Sequence, residues 1–445
     1  MADIDQPEPG QPDRAALIAT RPPLRDLSAA GLHFEGVALA EIAAELGTPA
    51  WVYGAGTFRD RLATLRAALD GAGLSAAKIH YAVKANDHQA ILTLVAQAGA
   101  GADVVSAGEM IRARHAGIPA AHIVFSGVGK TLADLRLAVG EGIAQINAES
   151  VEELAMLSVV ATEQGRQVDV VLRVNPDVDA ATHAKITTGR ADNKFGIAWE
   201  DAPAAYARAT ALPGLNPVGL AVHIGSQILS PAPYAAAYRR VADLVRALRQ
   251  GGHAVNRVDC GGGFGIAYGA ATPSPLDAFA AVLAEQLGGL GLDLMVEPGR
   301  WLVGPAGLLL ASVVLVKQTG TRRFVVLDAA MNDLIRPAMY EAWHAIVPVT
   351  PETAPLALVD VVGPVCESGD TFARDRALPP LAAGDLVAIL DAGAYGAVMS
   401  STYNARPFAA AALVDGPRWS VITPRQQIAD LWSRETVPDW IAGER

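Results

Sequence analysis

Cysteine is almost missing from this chain. Cys260 and Cys366 are the only two in 445 residues, too few for a disulfide framework, so free thiols in a reducing compartment are expected. Long apolar runs are missing as well. The longest near-continuous one, at 307–316, is about half of the roughly 20 residues that a bilayer-spanning helix requires, and no membrane association is expected. The first twenty residues carry Asp3, Asp5 and Glu8 among prolines and glycines before any apolar run. That is the reverse of a secretion signal and points to the cytoplasm. Positive charge is short too: 35 Lys and Arg against 46 Asp and Glu give a formal net charge of -11. A phosphate-backbone binder needs a basic face to release counterions, so nucleic acid is excluded as a partner and a small-molecule substrate fits better.

What the chain does have is an ordered, globular texture, with 51% hydrophobic and 18% charged residues and with Gly and Pro scattered along its length. Its length suggests two domains sharing a large core. Residues 1–34 are Pro-, Asp- and Ala-rich and weakly patterned, and are expected to form a loose leader. Beyond them, short strand-like runs fall at 79–83, 102–105, 123–126, 143–147, 168–174, 218–224, 255–260 and 292–296. Ala- and Leu-rich stretches with helical spacing lie between, for example 57–69, 150–164 and 234–250. Eight strand-then-helix units in about 250 residues match a (β/α)8 TIM-type barrel over 35–305, with a doubly wound sheet as the competing pattern. After about residue 305 the runs come closer together, at 308–316, 324–328, 356–362, 385–390, 408–414 and 419–422. This predicts an appended all-β domain over 306–445, a sandwich or small barrel, which residues from 20–48 are free to join.

In such barrels the functional groups gather at the C-terminal ends of the strands. The first run ends in YAVKAN with Lys84, the second holds Asp103, the fifth Arg173 and Asn175, and the sixth runs into HIGSQ with His223 and Ser226. The seventh runs into GGGFG with Gly261, Gly262 and Gly263, and the eighth into EPGR with Glu297, Pro298, Gly299 and Arg300. Singly each has a bland reading: a solvated lysine, a satisfied core histidine, a tight glycine turn. GGGFG is not a dinucleotide fingerprint, because the G-x-G-x-x-G register fails at Ile266. Together they have one economical chemical reading. A lysine can form a Schiff base with an aldehyde, side-chain-free N–H groups can approach a phosphate, and a carboxylate can keep a pyridine nitrogen protonated. Those are the attachments of pyridoxal 5'-phosphate, and no metal is expected.

YAVKAN, HIGSQ, GGGFGI, EPGR, IRPAMY at 335–340, CESGD at 366–370, DAGAYG at 391–396 and YNARP at 403–407 together resemble the diaminopimelate decarboxylase family. That family belongs to the pyridoxal-phosphate class that includes alanine racemase and ornithine decarboxylase. The resemblance runs over about 35–430, with Phe264 standing where the family often has leucine. It implies that Lys84 carries the cofactor, His223 stacks on its ring, Glu297 pairs with its nitrogen, and Ser226 with Gly262 and Gly263 cradles its phosphate. It further implies that Tyr395 touches phosphate and substrate, that Arg300, Arg336 and Tyr340 bind the distal carboxylate, and that Glu367 lies near the distal ammonium. Cys366 is implied as the proton donor, and a homodimer with shared active sites as the assembly. The expected reaction is decarboxylation of meso-2,6-diaminopimelate to L-lysine. The alternatives are a related barrel decarboxylase acting on ornithine, lysine or carboxynorspermidine, and a non-catalytic regulatory protein that binds the cofactor.

Overall fold

The computed structural model describes residues 12–27, 31–179, 194–269, 272–351 and 353–442, in two units. Within these, the first unit comprises residues 55–306 and 393–398, and the second comprises the remainder.

The first unit is a closed parallel barrel. Its strands are β1 (Lys78–Ala82), β2 (Gly101–Val104), β3 (Ile123–Phe125), β4 (Gln145–Ala148), β5 (Val168–Asn175), β6 (Leu215–Ala221), β7 (Arg257–Asp259) and β8 (Asp293–Val296). Each pairs with the next in parallel, and β8 returns to β1. The strands are buried almost throughout because both faces are covered, one by helices and one by the barrel interior, and they carry buried polar residues such as Asp103, Gln145, Asn147 and Asp259 among the apolar ones. Local chemistry ends each connection. Ser106, Thr131 and Ser150 accept from the backbone N–H of Glu109, Asp134 and Glu153, capping helices Ala107–His115, Leu132–Glu141 and Val151–Glu163. Gly142 closes the second of these in the left-handed conformation that glycine adopts without strain.

The second unit is a mixed nine-stranded sheet and a small three-stranded one. Strand Gly307–Thr319 organises the larger sheet. It pairs antiparallel with Ala50–Gly54 and Leu386–Ile389 through its first half and with Arg322–Leu327 through its second. Two expectations need correction. Residues 49–54 were read with the barrel, but Ala50–Gly54 is a strand of the second unit, paired in parallel with Ala410–Asp415. Residues 1–34 were read as a loose leader; 1–11 and 28–30 lie outside the described residues, but the rest is ordered. Helix Arg14–Ala19 and strands Leu24–Asp26 and Leu32–Phe34 bury Leu17, Leu24, Leu32 and Phe34, and Arg21 forms a buried ion pair with Asp391. Among the described residues no helix is long and apolar enough to cross a membrane.

The barrel interior carries a titratable group with a measurable signature. His80, on β1, packs over Gly101, where an added Cβ would lie 2.3 Å from the ring. Burial lowers its pKa from 6.5 to about 4, with Asp103 opposing and Lys78, His122 and Arg257 assisting. An unfolded His80 would take a proton near 6.5 while the folded one waits until about 4, so the unfolded chain binds more protons in that window and stability falls as pH drops through it. The loss amounts to about 3 kcal/mol at 1.36 kcal/mol per unit. Urea unfolding at neutral pH and near pH 4 should therefore show His80→Gln losing about 3 kcal/mol less than the wild type; equal losses would remove His80 from the acid response.

Candidate active site

The C-terminal rim of the barrel gathers Lys84, Asp103, His223, Ser226, the three glycines, the Glu297–Arg300 segment and Tyr395 in the first unit. Lys84 sits in the single 3-10 turn Val83–Ala85 that follows β1. Its Nζ donates to Asp103 Oδ2 at 2.5 Å, and Asp103 on β2 is fully buried. Burial works against the ammonium, but the charge of Asp103 and its hydrogen bond outweigh it and leave Lys84 above its ordinary value. Asp103 Oδ1, also buried, has no hydrogen-bond partner among the described residues.

The glycines after β7 are there because backbone comes too close for anything else. Gly263 has φ +94, and a Cβ on it would lie 2.3 Å from the Gly225 carbonyl; one on Gly262 would lie 2.0 Å from the Glu297 carbonyl. The Gly262 N–H donates to His223 Nδ1 at 3.3 Å, which places the ring proton on Nε2. Burial first, then Arg173 and Lys84, hold His223 well below its usual pKa, so the imidazole is neutral.

Beyond β8, Glu297 is 6% exposed. Burial and the neighbouring Asp103 and Asp259 push its carboxyl well above the usual range, against the pull of Lys84. The Pro298 carbonyl accepts from Ala82 N at 3.1 Å, stitching β8 to β1 at the rim. Gly299 fits against Ala82 and Ala85, where a Cβ would find both methyls within about 3 Å. Arg300 opens the short helix Arg300–Val303. Its Nη1 donates to the Tyr268 hydroxyl at 2.6 Å and its Nη2 to Ser226 Oγ at 3.0 Å, while its guanidinium stands 4.9 Å over the Tyr395 ring. Tyr395 reaches the rim because its N–H donates to the Ala85 carbonyl at 2.8 Å and Asn86 Nδ2 donates to the Gly393 carbonyl at 3.0 Å. Tyr268, Asp259, Asn147 and Ser126 also belong to this cluster and were not singled out in the sequence. For Tyr268 the available signal was its place three residues after GGGFG.

Arg336, Tyr340, Cys366 and Glu367 belong to the second unit. Arg336 begins helix Arg336–Tyr340; its Nη1 donates to His344 Nε2 at 2.6 Å, and His344 Nδ1 donates to the Leu390 carbonyl at 2.8 Å. Those two bonds fix the imidazole tautomer and aim the guanidinium. The CESGD loop is wound around Asp370, whose carboxylate accepts from the N–H groups of Val365 and Met331, each at 2.7 Å. Cys366 is exposed and its N–H donates to Asn404 Oδ1 at 2.9 Å. Cys260, by contrast, is buried, and its thiol is pushed well above its usual value. Among the described residues no group of His, Cys, Asp or Glu is arranged to hold a metal ion.

The donor set fits pyridoxal phosphate: an amine beside a buried carboxylate with a free oxygen, a backbone cradle with no room for side chains, and a buried carboxyl facing the same rim. Fold and site together define a pyridoxal-phosphate decarboxylase of the barrel class, and the family model described as pyridoxal-dependent decarboxylase, pyridoxal binding domain, matches residues 55–304. The chain is 49% identical over 412 residues to the diaminopimelate decarboxylase of Zymomonas mobilis, covering 92% of this chain and 98% of that one, and 45% identical over 408 residues to that of Pseudomonas aeruginosa, covering 92% and 97%. The crystal structure of diaminopimelate decarboxylase from Helicobacter pylori complexed with L-lysine superposes with a TM-score of 0.85 at 38% identity, over 88% of this chain and 98% of that one. The chain belongs to the diaminopimelate decarboxylase family.

Proposed function

We propose that the chain removes carbon dioxide from meso-2,6-diaminopimelate to leave L-lysine, as a cytoplasmic homodimer. The observation that carries the reading is the Lys84–Asp103 pair on a rim whose glycines leave room only for backbone. Pyridoxal phosphate, when bound, supplies an aldehyde that condenses with amines and a ring that draws electrons from the carbon losing its carboxylate. Lys84 would hold that aldehyde, and Asp103 balances the charge on its amine. The turn Gly261–Gly263, where only backbone fits, would receive the phosphate, with Ser226 and Tyr395 as its side-chain partners. His223, kept neutral, offers a flat face to the ring without adding positive charge, and Glu297 would hold the proton on the ring nitrogen. Arg300, Arg336 and Tyr340 would bind the distal carboxylate, to which a guanidinium presents a planar fork. Glu367 would meet the distal ammonium, and Cys366 would return a proton to the carbon that has lost its carboxylate.

A site built around a distal carboxylate leaves buried donors unsatisfied when that group is missing, so discrimination should be steep, roughly 10³-fold or more in kcat/KM. Carbon dioxide release measured on meso-diaminopimelate, L-lysine and L-ornithine tests this. Comparable turnover of ornithine would reassign the chain to the related decarboxylases, and no release from any of the three would favour a non-catalytic role. Arg336→Ala should raise KM for diaminopimelate more than it weakens cofactor retention.

A further inference from the structure

Glu297 is not the only carboxyl at the closed end of the site. Asp259 ends β7 and is 1% exposed. It stands in register with Met295 on β8, two residues before Glu297, and the period of two along a strand puts Met295 and Glu297 on the same face. The two carboxyls are therefore neighbours, each acting on the other. Neutral donors hold the pair from behind. Asn147 Nδ2 donates to Asp259 Oδ2 at 2.9 Å and to Ser126 Oγ at 3.0 Å, and Ser126 Oγ in turn lies 3.4 Å from Glu297 Oε1. The Gly261 N–H donates to Asp259 Oδ1 at 3.0 Å. Asn147 cannot turn over, because its Oδ1 accepts from Gln145 Nε2 at 2.8 Å, and Gln145 Oε1 accepts from Arg257 Nη1 at 2.9 Å. Both oxygens of Asp259 therefore accept from amide N–H groups, the arrangement that suits a carboxylate. The charged groups facing the pair are Lys84 and Asp103, and of these Lys84 is held by Asp103. Two adjacent carboxylates in a dry barrel interior repel and cannot both stay ionised.

We propose that Asp259 is a positioning residue for Glu297: the two carboxyls share one proton, which Glu297 carries and Asp259 accepts, so that Glu297 meets the cofactor's ring nitrogen with a proton to give. A ring nitrogen placed against Glu297 would take up that proton, and its positive charge would then offset the second carboxylate. Burial and the repulsion of Asp103 and Asp259 push Glu297 the same way. The proposal rests on the reading of Glu297 as the partner of the ring nitrogen, but the proton sharing is testable without any cofactor.

Infrared spectroscopy of the cofactor-free protein in D2O near neutral pH reads it. The wild type should show a protonated-acid carbonyl band that both Asp259→Asn and Glu297→Gln lose, since either change lets the remaining carboxyl ionise; wild-type-minus-variant difference spectra cancel Glu109, which burial pushes up to about 7. Absence of the band from the wild type overturns the proposal, and so does its survival in Asp259→Asn, which would mean that Glu297 keeps a proton unaided. Asp259→Ser takes the place of Asp259→Asn if the latter does not fold, with circular dichroism as the check. In the loaded enzyme, Asp259→Asn should retain the cofactor but change the pH dependence of its absorption and lower kcat with KM for diaminopimelate unchanged. An unchanged spectrum and kcat would overturn the positioning role while leaving the decarboxylase reading intact. Failure of the wild type to act on diaminopimelate would count against that reading instead.

Discussion

Lys84→Ala should be colourless after purification with pyridoxal phosphate and should lose at least roughly 10³-fold in kcat/KM, a loss at the level expected when a reacting side chain is removed. The wild type should be yellow, and borohydride reduction followed by peptide mass mapping should place the cofactor on Lys84 alone. The alanine variant has a weakness as a test, because it strands Asp103, fully buried, without its cation, and an unpaired buried charge destabilises the fold by itself. Lys84→Arg separates the two effects. A guanidinium keeps the positive charge beside Asp103 but does not give up its proton to act as an amine nucleophile. The arginine variant should therefore fold like the wild type, bind the cofactor without a reducible link, and be as inactive as the alanine variant. A reduced adduct on any other lysine would show that the rim has been misread.

Lys84 could be found without a structure because a barrel converts sequence order into position. Each of the eight apolar runs ends at the same rim, so the residue closing a run is a rim residue whatever its partners are. The glycines were legible for a related reason, since three in a row after a strand leave little but a close backbone approach as their use. The polar layer beneath was not legible. Gln145, Asn147 and Asp259 come from two strands more than a hundred residues apart in sequence. Taken singly they are polar residues at inward positions, and only the closed sheet turns them into one network. Ala50–Gly54 was misassigned because its partners lie some 250 and 360 residues further on; five buried residues before a helix look like any barrel strand. Helix Arg14–Ala19 is six residues long, too short for periodicity to register. Residues 393–398 belong to the barrel unit although they follow 307–392 of the second one in sequence, a return that motif order alone does not announce. The tie between Tyr395 and Ala85 is what makes it visible.

On the proposed homodimer, mixing two inactive variants, Lys84→Ala and Cys366→Ala, should restore activity under conditions where subunits exchange. Lys84 belongs to the barrel unit and Cys366 to an exposed loop of the sheet unit, so one site can draw them from different chains. If it does, a two-fold dimer holds two equivalent sites, each made of one chain's lysine and the other chain's cysteine. In a mixed dimer one site then carries both defects and the other carries neither. Random exchange of equal amounts makes half of the dimers mixed, and half of their sites are intact, so recovery should approach about a quarter of wild-type activity. Each variant alone, at the same total concentration, should remain at the level expected for loss of a reacting group, roughly 10² to 10⁴-fold down. The proportionality is the sensitive part: recovery should follow the population of mixed dimers as the ratio of the two variants is changed, with its maximum at equal amounts. Were both residues supplied by one chain, every site in the mixture would keep a defect and no ratio would revive it.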